Sequence, residues 1–126
     1  MSFGQRDYDR TKPEIDFPGE TPPTELVVED LIEGSGPAVE AGSRVQVHYV
    51  GVAWSTGEEF DASWNRGQPL DFTVGIGQVI EGWDQGLLGM RVGGRRRLEI
   101  PSSMAYGERG AGGAIGPNEA LIFVVD

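Results

Sequence analysis

The sequence predicts an α+β fold: a twisted antiparallel β-sheet of five to six strands with one short α-helix lying across its concave side. Three observations lead there. Twenty glycines and eight prolines in 126 residues imply many turns, as in a small β-rich domain. Several short runs alternate apolar and polar residues with the two-residue period of a half-buried strand. One stretch, Gln78 to Met90, is helical in pattern: Trp83, Leu87 and Leu88 fall at i, i+4 and i+5 and share one face. Glycines at 82, 86 and 89 cost that helix roughly 1 kcal/mol each relative to alanine, so it needs a sheet to pack on.

Residues 1–23 mix charge and proline, end in Pro18-Gly19-Glu20-Thr21-Pro22-Pro23, and bury too little to offset their ordering entropy. They read as a flexible tail ahead of a domain spanning 24–126. The first strand runs from Leu26 to Ile32. Arg44 to Ala53 reads as one strand, with Val45, Val47 and Tyr49 on one face and Gln46 and His48 on the other. A turn at 55–58 leads to a short strand around Phe60. Residues 62–68 read as irregular. Leu70, Phe72 and Val74 mark another strand, followed by the helix, in which Leu87, Leu88 and Met90 are expected to anchor it. Arg95 to Ile100 places Leu98 and Ile100 inward. A glycine-rich loop covers 102–119, and 120–125 forms the last strand.

Composition excludes several kinds of chemistry. With no cysteine, disulfides and thiolate catalysis are out. The single histidine, His48, leaves a zinc site or a Ser-His-Asp triad without ligands or base, and it reads as structural. A net charge of −10 argues against binding nucleic acid through phosphates. No apolar run reaches membrane-spanning length, and no secretory signal is visible; a cytoplasmic monomer without cofactor or membrane contact is expected. Gly75-Ile76-Gly77-Gln78-Val79-Ile80 and the 110–115 loop each lack the third glycine of a dinucleotide fingerprint. In Arg95-Arg96-Arg97 the middle residue faces away from its neighbours, which favours a solvated strand edge over an anion site. The aromatics Tyr49, Phe60, Phe72, Trp83, Tyr106 and Phe123 lie on six separate elements. By themselves they fit a plain core and a small apolar pocket equally well.

Five blocks tip that balance: Val47-His48-Tyr49-Val50-Gly51, Gly57-Glu58-Glu59-Phe60-Asp61-Ala62-Ser63, Val79-Ile80-Glu81-Gly82-Trp83, Met104-Ala105-Tyr106-Gly107 and Leu121-Ile122-Phe123-Val124. In order and spacing the chain resembles an FKBP-type peptidyl-prolyl cis–trans isomerase of the minimal, single-domain form, from residue 25 to 126. The resemblance implies a sheet half-wrapped around the helix and isomerisation of Xaa-Pro bonds. It further implies proline-containing polypeptides as substrates, macrolide ligands and no metal. It makes Trp83 the floor of a proline pocket and gives it walls of Tyr49, Phe60, Val79, Ile80 and Phe123. Arg66, Leu70, Phe72 and Gln78 complete the lining, and Ile115 closes the top. The Ile80 amide and the Tyr106 hydroxyl would donate to substrate carbonyls. Asp61 would stand at the pocket edge, held by Tyr49 or Arg66, and with Tyr106 and Trp83 forms the catalytic set. Gly82 would let substrate approach the backbone. Leu70 replaces an aromatic common in the family, and Ala111 and Ala114 replace bulkier loop residues. The rival class is a module that binds proline-containing segments without turnover, and a small β-rich ligand-binding domain stands behind it.

Overall fold

The computed structural model describes residues 11–15, 21–111 and 115–126. Seven strands are ordered β1 (Val27–Ile32), β2 (Arg44–Val47), β3 (Tyr49–Ala53), β4 (Glu59–Ala62), β5 (Leu70–Thr73), β6 (Arg95–Ile100) and β7 (Leu121–Val125). Among the described residues two α-helices lie between them, α1 (Ser63–Arg66) and α2 (Glu81–Gly86). Five strands form one sheet in the order β1-β6-β7-β3-β4, all pairs antiparallel, and β2 and β5 form a separate two-stranded ribbon.

The central strands are apolar because both their faces are covered. Every residue of β3 and of β7 is buried. Leu98, Ile100, Leu121 and Val125 are 0 % exposed and meet Trp83, Leu87, Phe72 and Val74 in one core; each such side chain contributes about 1.5–3 kcal/mol. At the sheet's edge β1 is exposed throughout, including Val27, Val28, Leu31 and Ile32.

Helix α2 lies directly on β6 because two of its glycines face that strand. A Cβ on Gly82 would stand 2.5 Å from Ile100 Cγ2, and one on Gly86 would stand 2.8 Å from Leu98 Cδ2. Gly82 therefore serves helix-to-sheet packing, which corrects the expectation that it opens the backbone to substrate. The helix is also shorter than the predicted 78–90. Ile80 is its extended N-cap, and past Leu87 the chain turns so that the Gly89 amide donates to Val39 O at 2.8 Å. That turn buries Met90 and leaves Leu88 43 % exposed, so Leu88 is no anchor.

Other expectations change for local reasons. The predicted 44–53 strand breaks at His48, where the chain leaves the β2–β5 ribbon and joins the main sheet. Residues 62–68 contain one helical turn, α1, ended by Gly67 in the left-handed region at φ 67°. Arg95–Arg97 is no solvated edge, since β6 lies between β1 and β7. Arg96 is buried, donating to Asp30 Oδ1 at 2.7 Å and to the carbonyls of Gly86 and Leu88 at 2.9 and 3.0 Å. Arg95 pairs with Asp126 and Arg97 with Glu99. Of the expected tail, residues 1–10 and 16–20 lie outside the described residues, while 11–15 run along the outer face of the main sheet, with Ile15 against Val50, Val52 and Ala62.

Candidate functional site

Five of the six predicted aromatics, Tyr49, Phe60, Phe72, Trp83 and Phe123, meet at the start of α2. Trp83 is at the centre: the Tyr49 and Phe123 rings contact it edge-on, each with centroids 5.1 Å away, and Phe72 lies at 5.6 Å. Phe60 stands perpendicular to Phe123 at 5.5 Å. Edge-to-face contacts of this kind add about 0.5–1.5 kcal/mol beyond burial. A Cβ on Gly51 would be 2.6 Å from ring atoms of both Phe60 and Phe123, so the missing side chain there is what lets the two rings converge. Trp83 is 4 % exposed and its Nε1 has no hydrogen-bond partner among the described residues.

The cluster opens to solvent through half-buried Phe60, Leu70, Val79 and Ile80. Ile115 is buried in the same core. Tyr106 is 40 % exposed, and its hydroxyl makes no hydrogen bond among the described residues. The Ile80 amide has no partner there either, although Ile80 O accepts from the Trp83 and Asp84 amides at 2.9 and 3.1 Å. The loop before the helix is fixed by side chains: Asp84 accepts from the Gly75 and Gly77 amides at 2.8 and 3.0 Å. Gln78 Oε1 accepts from the Thr73 amide at 2.8 Å, which also ties the loop to β5. Ala111 bridges to Ile115, and Ala114 lies outside the described residues.

Beside the rings is a closed polar triangle. The Tyr49 hydroxyl donates to Asp61 Oδ2 at 2.6 Å, Arg66 Nη1 donates to Asp61 Oδ1 at 2.7 Å, and Arg66 Nη2 donates to the Tyr49 hydroxyl at 2.9 Å. Asp61 is thus held by both expected partners. Burial pushes its carboxyl up, but the bonds from Tyr49 and Arg66 outweigh burial and leave it below the usual value. Burial first, then the bond to Asp61, raises the Tyr49 hydroxyl; burial and the Asp61 charge raise Tyr106. Phe60 and Asp61 both reach the inner side because the ladder slips between them. Gly51 pairs with Asp61 and Val52 with Glu59, so Phe60 is the extra residue of a β-bulge.

Two residues behind the site carried no individual signal in the sequence. Ser63 is 0 % exposed, and its Oγ accepts from the Tyr49 amide at 2.7 Å and bonds His48 Nδ1 at 2.8 Å. His48 stacks on Trp64 at 4.5 Å. The buried serine and the half-buried histidine position Tyr49, which fits a structural role for His48. Gly51 is the other, its importance visible only once Phe60 and Phe123 are placed. No group of three or more His, Cys, Asp or Glu that could hold a metal occurs among the described residues, and no helix there is long and apolar enough to cross a membrane. Two cavities lie away from the rings, one of about 370 Å³ between residues 12–15 and β3, the other of about 680 Å³ beside Val45, Leu87 and Asp126.

Residues 36–126 match the family model for FKBP-type peptidyl-prolyl cis-trans isomerases. The chain is 66 % identical over 116 residues to an FK506-binding protein of Streptomyces anulatus, covering 91 % of this chain and 94 % of that one. It is 50 % identical over 101 residues to peptidyl-prolyl cis-trans isomerase FPR2 of Saccharomyces cerevisiae, covering 80 % and 72 %. The crystal structure of AtFKBP13 superposes with a TM-score of 0.76 at 40 % identity, covering 83 % of this chain and 92 % of that one. With sequence blocks, sheet and ring cluster in agreement, the chain belongs to the FKBP-type peptidyl-prolyl cis-trans isomerases.

Proposed function

We propose that the ring cluster at the start of α2 receives a proline and accelerates rotation of the preceding peptide bond without covalent catalysis, with protein folding as its use. The barrier is about 18–20 kcal/mol because the C–N bond is partly double, and uncatalysed Xaa-Pro isomerisation takes tens to hundreds of seconds. In the rotating state conjugation is lost and the amide is less polar than when planar. An apolar surface therefore stabilises that state over the planar amide, the differential binding that lowers a barrier. A thousandfold acceleration needs only about 4 kcal/mol. No nucleophile, base or metal enters.

The observation that carries this reading is the set of rings packed around Trp83 with an unpartnered amide, that of Ile80, at its rim. In this reading Trp83 is the floor, and Tyr49, Phe60, Phe72, Val79 and Phe123 are the walls. Ile80 N–H and the Tyr106 hydroxyl hold carbonyls on either side of the rotating bond. Asp61, kept ionised by Tyr49 and Arg66, fixes Tyr49 and faces the amide with a constant negative charge. The same surface suits a macrolide that presents a proline-like ring, in keeping with the names of the FK506-binding relatives.

The test is a protease-coupled assay with an Xaa-Pro tetrapeptide, together with macrolide competition. Phe60 is half-buried at the rim, so Phe60→Ala should leave the fold intact and lower kcat/KM about tenfold or more, equivalent to about 1.4 kcal/mol or more. A folded Phe60→Ala with full activity would refute the assignment. Proline-peptide binding without turnover in the unaltered protein would favour a holding module instead.

A further inference from the structure

Residues 11–15 pass behind the part of the sheet that presents Phe60 and Asp61. Lys12 Nζ pairs with Glu59 Oε1 at 2.8 Å and donates to Asn65 Oδ1 at 3.0 Å, and Asn65 Nδ2 donates to Glu59 Oε2 at 2.9 Å. This is a second closed triangle, two of whose corners lie within two residues of corners of the first. Glu59 immediately precedes Phe60 and Asp61, and Asn65 immediately precedes Arg66. Lys12 thereby joins the two ends of the 59–65 segment. The strap is held to the sheet on both sides: Arg95 Nη2 donates to Thr11 O at 2.7 Å, and Ile15 packs on Val50, Val52, Ala62, Trp54 and Ile122.

We propose that residues 11–15 form a strap that positions Asp61 and Arg66 for isomerisation, with Lys12 as the positioning residue. The proposal rests on the ring cluster being the active site. The strap has leverage there because β4 is bulged. The extra residue, Phe60, is unpaired in the ladder, so main-chain bonds hold this strand less firmly than its neighbours. A tie from Glu59 to Asn65 supplies the missing constraint from outside the pocket, without touching substrate. The Lys12 and Glu59 side chains are 38 % and 34 % exposed, and an exposed pair adds little to global stability. Positioning and stability are therefore separable in this strap.

The full-length protein should be compared with Lys12→Met, Lys12→Arg and Ile15→Ser. The readouts are kcat and KM for one Xaa-Pro peptide, Tm, and the titration of the Asp61 carboxyl by carbon NMR. Lys12→Met should lower kcat about threefold with KM and Tm unchanged, the scale expected of a small misplacement. It should also move the Asp61 midpoint upward, as the bonds from Tyr49 and Arg66 loosen. Asp61 and Glu59 also sense each other's charge, so Glu59→Gln serves as the control: a loosened geometry raises the Asp61 midpoint there too, whereas loss of the Glu59 charge alone lowers it. Lys12→Arg should restore both, and Ile15→Ser should lower kcat and Tm together. Wild-type kcat and an unmoved Asp61 midpoint in Lys12→Met would overturn the strap. Absence of turnover in the unaltered protein would instead refute the active-site reading, and the Asp61 midpoint would still decide the strap.

Discussion

The two ends of α2 differ in how completely their polar groups are used. At the C-terminal end, the carbonyls of Gly86 and Leu88 accept from one buried arginine, Arg96, which also grips Asp30 on the edge strand. At the N-terminal end, the Ile80 amide and Trp83 Nε1 are without partners among the described residues, beside a half-open set of rings. Buried or half-buried polar groups left unmade cost free energy that a folded chain normally avoids. The satisfied end belongs to the fold. In the proposed function, the unsatisfied end is the one that receives substrate.

Substitutions should separate the ends. Trp83→Ala should have the largest effect, because that ring belongs to both core and site: about 3–5 kcal/mol of stability together with macrolide binding, read by chemical denaturation and calorimetry. Arg96→Met comes next. It leaves two carbonyls and Asp30 without their donor, at a cost of about 2–4 kcal/mol. Below its lowered Tm, kcat/KM should stay within about twofold of wild type, since Arg96 bonds the opposite end of α2 from Ile80. A large loss of turnover in folded Arg96→Met would erase the distinction between the ends.

The smallest effect is that of acid. Burial raises the Asp61 carboxyl, the Tyr49 and Arg66 bonds lower it, and the net direction is down. A carboxyl with a folded value below its unfolded value, about 3.9, stabilises the protein above that pH and loses its contribution as pH falls through the folded value. The kcat/KM profile should therefore be level from neutrality to about pH 4.5 and fall only below the ordinary carboxylate range. Asp61→Asn should lower the rate several-fold and remove that acid limb, with little change in Tm.

What the sequence revealed depended on whether a pattern has a period. The inward Leu98 and Ile100 of β6 and the buried run of β7 were legible because alternation and apolar runs record burial directly. The break at His48 was not, because side-chain alternation continues through Val47 and Tyr49 while the backbone changes partners. Helix α1 was missed because one turn around Trp64 is too short to show a period. Arg96 looked like a surface charge because its partner Asp30 lies 66 residues away. The rings stood out as aromatics on separate elements, but a role for them and for Asp61 was offered only by the resemblance, since Phe60 and Asp61 share a side only by virtue of a bulge.

The glycine seam between α2 and β6 has a metrical consequence. Four helical residues advance about 6.0 Å and two strand residues about 6.6 Å, so Gly82 over Ile100 and Gly86 over Leu98 match like marks on two rulers. Moving the helix by one residue would drive a side chain into the sheet, and no intermediate setting is open to it. The helix carries the Ile80 amide, while the sheet and α1 carry the triangle of Tyr49, Asp61 and Arg66. Their separation, which in the proposed function is the gauge against which an incoming peptide is measured, is set by two positions with no side chain at all.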